Sequence, residues 1–156
     1  MISKIIVPKK FLEEIREEGI KEARRNKEAT GFLLGLYDER EKSVTVSEKY
    51  RLPHQIGDGG LCDILTRILT IPKIVCIYGR ASHFNKLAVR KIGKIPAEIA
   101  YHTHPYGSWS KSDLWSASLN SRSVYRVVEA NLLYTAKIDI FLAIDANKKD
   151  IPIVSK

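Results

Sequence analysis

The chain has 156 residues, 44% of them hydrophobic, which suits a single domain spanning residues 1–156 with a core of ordinary size. No stretch reaches the roughly 20 uncharged apolar residues of a membrane span, and the opening MISKIIVPKKFLEEI lacks the apolar centre and small-residue cleavage site of a signal peptide. The expectation is a soluble cytoplasmic protein with no membrane partner. The 26 Lys and Arg against 18 Asp and Glu leave a formal net charge of +8, dispersed along the chain with small concentrations at Lys9-Lys10, Arg24-Arg25 and Lys148-Lys149. A nucleic-acid module more often shows a dense basic stripe among exposed aromatics, so a generally solvated basic surface is favoured over a nucleic-acid face.

From Pro8 to about Lys27, Phe11, Leu12, Ile15 and Ala23 fall near one helical face among charges, and Pro8 suits a helix start. An amphipathic first helix is expected. Next, GFLLGLY (31–37), the charged turn DEREK and the alternating SVTVSEKY (43–50) form a β-hairpin pattern. A Gly-rich turn at Gly57, Gly59 and Gly60 lacks the spacing of a phosphate loop and precedes a short helix expected around Cys62 to Leu69. KIVCIYG (73–79) reads as a buried strand. Cys62 and Cys76 belong to no CxxC pair, and two buried thiols are expected there rather than a disulfide or cysteine-rich zinc finger.

AEIAYHTHP (97–105) reads as a strand that delivers histidines at its end. SKSDLWSASLNS (110–121) follows as a helix that Ser110 or Ser112 can cap, with Asp113 in its first turn. Further strand patterns occur at SVYRVV, NLLYT, KIDIFLAID and IPIVS. Strands mixed with two or three helices indicate an α/β or α+β sandwich. A single Gln and a single Met among many Ile, Lys, Glu and Arg would suit a protein selected at high temperature.

The segment YHTHPYGSWSKSDL (101–114) carries the chemistry. His102 and His104, two apart on a strand, project from one face, so both imidazoles can converge on one metal. Pro105 and Gly107 break the strand and let the chain return with the Asp113 carboxylate. Three N/O ligands with a position left for water is the pattern of a catalytic zinc, whereas structural zinc sites usually close with four protein ligands. Such a site needs a proton carrier that is not a ligand, and Glu28, just before the hairpin, is the candidate. His54 and His83 have no second ligand at metal spacing and stay outside the site. Tyr106 and Trp109 flank the cleft, with packing as the alternative to substrate contact. Asp63, Asp139 and Asp145 read as turn, cap or surface acids.

His102-Thr103-His104-Pro105 followed by Ser110-Lys111-Ser112-Asp113 resembles the JAMM signature of the MPN-domain metalloproteases, and Glu28-Ala-Thr-Gly31-Phe-Leu33-Leu-Gly35 resembles the same family's upstream element. The resemblance implies a cytidine-deaminase-like α/β fold, a mixed sheet flanked by helices. It further implies a zinc-dependent isopeptidase or peptidase acting on a peptide or a ubiquitin-like protein conjugate. His102, His104 and Asp113 would bind zinc, Glu28 would be the general acid/base, and Ser110 would donate a hydrogen bond to the oxyanion. One departure falls in the loop: five residues separate His104 from Ser110 here, against seven in the family pattern. The competing readings are a non-catalytic MPN-type interaction scaffold and a nucleic-acid-associated domain. Deamination is disfavoured because the Cys-x-x-Cys zinc ligands of that chemistry are missing.

Overall fold

The computed structural model describes residues 1–51, 94–120 and 128–156. β1 (Lys4–Val7) leads into α1 (Lys9–Ala23), the hairpin β2 (Thr30–Asp38) and β3 (Ser43–Arg51), then β4 (Lys94–His104), α2 (Lys111–Asn120), β5 (Val128–Thr135), β6 (Ile140–Asp145) and β7 (Ile153–Ser155). The strands form one mixed sheet in the order β6-β5-β4-β2-β3-β1-β7. β4 pairs antiparallel with β2 and parallel with β5, and β1 lies parallel to both β3 and β7.

This architecture corrects the expected cytidine-deaminase-like α/β fold with helices flanking a sheet. Strand accounts for about half of the described residues and helix for about a fifth, in a nearly closed, barrel-like sheet with only two described helices. One reason lies at the N-terminus. KIIV, too short for a helix and stopped by Pro8, alternates its burial and inserts as β1 between β3 and β7. The sheet thereby gains a second wing that curves round until its edges meet. Ile151 N–H bonds Ala143 C=O at 2.9 Å, and Ile144 bridges Asp150. The helix expected around Cys62 to Leu69, the KIVCIYG strand, both cysteines, His54, His83 and Asp63 lie outside the described residues, as does all of SVYRVV but its final residue, Val128, which opens β5.

The core sits on the sheet face under α1, where Ile5, Val7, Leu33, Val44, Ile99, Leu132 and Tyr134 join Ile15 of the helix. Each fully buried aliphatic side chain of this kind contributes about 1.5–3 kcal/mol. α1 stops four residues short of the expected Lys27, because Asn26 adopts a left-handed φ of 54°. The helix is also held by charge. Lys49 Nζ reaches Glu14 at 3.3 Å and Glu18 at 2.5 Å, Tyr101 Oη donates to Glu18 at 2.9 Å, and Arg51 pairs with Glu22 at 3.2 Å. Burial, followed by Glu18, pushes the Tyr101 phenol far above its usual range, so it stays a donor. Asp139, expected as a surface or turn acid, accepts two bonds from Arg16 and one from Tyr134, and Asp145 caps the turn that leads toward β7. No described helix is long and apolar enough to cross a membrane.

Candidate metal centre

The opposite face of β4 carries Glu98, Ala100, His102 and His104 in alternation. β5 puts Glu129 in register with Glu98, and Thr135 in register with His104. Burial, aided for Glu98 by its neighbour Glu129, pushes both glutamates up to about 7.

At the end of β4 the two imidazoles meet, Nε2 to Nε2, at 3.1 Å. His104 Nδ1 lies 3.0 Å from the Ser108 carbonyl. A carbonyl only accepts, so Nδ1 carries the proton, and in the neutral ring Nε2 is left with its lone pair free. Asp113 arrives from the first turn of α2 with Oδ1 3.3 Å from His102 Nε2 and Oδ2 3.4 Å from His104 Nε2. One ligand atom from each of the three residues lies within 4.8 Å of the others.

A local device aims Asp113. Ser110 Oγ accepts the Asp113 N–H at 3.1 Å, and Asp113 Oδ2 accepts the Ser110 N–H at 2.8 Å, a reciprocal capping box with aspartate in the place of the usual glutamate. The Ser-x-x-Asp spacing therefore starts a helix and turns a carboxylate toward the histidines together. Burial would raise the Asp113 pKa, but the His102 hydrogen bond and the Ser110 amide outweigh it and hold the carboxyl well below its usual range. Ser110 keeps its own hydroxyl proton to donate, with Ser112 Oγ 3.0 Å away.

The loop of five residues is long enough to close this geometry. Gly107, at φ 88°, takes a conformation side-chain-bearing residues rarely adopt, and Pro105 C=O accepts from Lys137 N–H at 3.1 Å. Trp109 lies edge-on to His102, ring centroids 5.8 Å apart. Tyr106 is 61% exposed and donates to Asn26 Oδ1 at 2.7 Å, tying the loop to the segment after α1.

Glu28 reaches the cluster from the other side, its Oε1 3.4 Å from His104 Nε2 and its side chain half exposed. Its position follows from Ala29, whose N–H donates to Thr103 Oγ1 and whose carbonyl accepts the Thr103 N–H, both at 2.9 Å. Gly31 completes the fit, because a Cβ there would stand 2.5 Å from the Tyr101 ring and 2.3 Å from the Tyr50 carbonyl. All five residues singled out in the sequence thus lie together. The supports from Thr103 and the Ser108 carbonyl carry no motif of their own, since a carbonyl has no side-chain signature and a buried threonine on a strand reads as core.

No family model and no curated protein matches the chain. Among solved structures, the chain is similar to the solution structure of protein DSY2949 from Desulfitobacterium hafniense, with a TM-score of 0.50 and 18% identity over 97% of this chain and 92% of that one. At that identity the likeness concerns the fold alone.

Proposed function

We propose that this chain is a JAMM-type zinc metallopeptidase acting in the cytoplasm, which hydrolyses an amide or isopeptide bond at the C-terminus of a ubiquitin-like protein. The observation that carries the reading is the convergence of His102, His104 and Asp113 on one point while Glu28 stands beside them at 3.4 Å from His104. Two imidazole nitrogens and one carboxylate oxygen suit zinc, and the bond from His104 Nδ1 to a carbonyl is the orienting contact that metal-bound histidines make. When bound, zinc would supply Lewis acidity toward the scissile carbonyl and the attacking water.

The remaining work falls to side chains. Glu28 takes the proton of the attacking water and returns it to the departing amine, a role that its half-exposed position allows. Ser110 donates a hydrogen bond from its hydroxyl to the developing oxyanion while its oxygen caps α2. The substrate class follows from the resemblance of the two motifs.

The test is hydrolysis of a ubiquitin-like protein carrying a fluorogenic C-terminal amide by zinc-loaded protein. Glu28→Gln is expected to lower the rate by at least about 100-fold while zinc stays bound. A Glu28→Gln variant as fast as wild type would remove Glu28 from the chemistry, and an inert wild type with zinc in place would favour the interaction scaffold.

A further inference from the structure

We propose that Thr30 is a positioning residue for the metal centre: its hydroxyl, without a partner among the described residues, accepts the Nδ1–H of His102 when Nε2 of that ring binds the metal, and so holds the ring in its ligating orientation. The inference rests on the metal reading above. Three observations carry it.

The first is register. Thr30 on β2 stands directly across from His102 on β4. The adjoining position carries the ladder bond from Thr103 N–H to Ala29 C=O, which makes Thr30 and His102 a non-hydrogen-bonded antiparallel pair. In such pairs the two side chains share a face and approach closer than at hydrogen-bonded positions.

The second is an unmet need on the threonine. Thr30 Oγ1 is buried with no hydrogen-bond partner among the described residues. A buried hydroxyl without a partner is costly, and on Thr30 it leaves an acceptor that a donor on the facing strand can satisfy.

The third is the asymmetry between the histidines. His104 binds through Nε2 and has its Nδ1–H satisfied by Ser108. His102 also turns Nε2 inward, toward Asp113 and His104. As a neutral ligand it must then carry its proton on Nδ1, and metal-bound histidines nearly always donate that proton to an oxygen. Thr30 supplies an oxygen on the adjacent strand, on the same face.

Thr135 is the internal control. It is fully buried, its Oγ1 also lacks a partner among the described residues, and it lies in register with His104. The His104 Nδ1 proton is already used, so the Thr135 hydroxyl has no ring to orient.

Zinc affinity, measured by competition with a chromophoric chelator, separates the possibilities. Thr30→Val should weaken zinc binding about 10- to 100-fold, Thr30→Ser should stay close to wild type, and Thr135→Val should leave affinity unchanged. In zinc-loaded protein followed by 15N NMR, the His102 Nδ1 proton should be protected from exchange in wild type and Thr30→Ser and unprotected in Thr30→Val. The metal-free Thr30→Val protein should melt no lower than wild type, because the lost hydroxyl had no partner to leave behind. Wild-type affinity in Thr30→Val, failure of Thr30→Ser to rescue, or an equal loss in Thr135→Val would each overturn the assignment. A wild-type chain that binds no zinc would overturn the metal reading itself, and this inference with it.

Discussion

At Asp113 two carboxylate oxygens answer three neighbours. Oδ2 takes the Ser110 N–H at 2.8 Å and lies near His104, while Oδ1 faces His102. Because the bond from Ser110 comes from its backbone, removing the Ser110 side chain leaves Asp113 held. Ser110→Ala should therefore keep its metal and lose only the cap, about 1 kcal/mol, or some 2–4 °C in melting temperature for a chain of this size. If the hydroxyl also serves the oxyanion, kcat falls by about 100- to 1,000-fold with KM little changed. Melting curves, metal analysis and steady-state kinetics on one variant check all three, and an unaltered kcat would return Ser110 to the role of a cap alone.

Among the elements, β4 does the most for the site. One face of it, through Ile99 and Tyr101, belongs to the core under α1, and the other presents the histidines. Thr103, between them and pointing to the core side, reaches out to Ala29 and fixes the place of Glu28. Thr103→Val preserves shape but leaves the buried Ala29 N–H without its acceptor, at a cost of about 1–3 kcal/mol. The expected result is a lower melting temperature and a reduced turnover with zinc affinity kept, since Thr103 touches no metal ligand's ring nitrogen. Loss of zinc in Thr103→Val would mean that the strand end, rather than Glu28, depends on this contact. The histidine pair and Asp113 were legible in the sequence because period-two projection on a strand and Ser-x-x-Asp capping are local rules. The hairpin was legible for the same reason, its strands at 30–38 and 43–51 matching the alternating runs to within a residue.

At the scale of the molecule, the helix-flanked arrangement expected from motif resemblance gives way to a curved sheet, because sheet order depends on which distant strands find one another. β1 joins β3 and β7 through parallel pairings across 39 and 148 residues of sequence, as Lys4 with Ser43 and Ile5 with Ile153, and no local pattern encodes such partners. Three consecutive apolar residues ahead of Pro8, Ile5 to Val7, are the trace that β1 leaves in the sequence. The buried Glu98–Glu129 pair was equally hidden, since two glutamates 31 positions apart become neighbours only once β4 and β5 align in parallel. The site survives this change of architecture because its geometry needs only the end of β4, the start of α2 and the Glu28–Ala29 step held against Thr103.

Bound-metal stoichiometry by elemental analysis tests that geometry most directly, on purified wild type beside His104→Ala and Asp113→Ala. About one zinc per wild-type chain is expected, with its loss from both variants, since neither remaining pair of ligands completes the site. A wild-type chain without metal, or metal that persists in both variants, would contradict it.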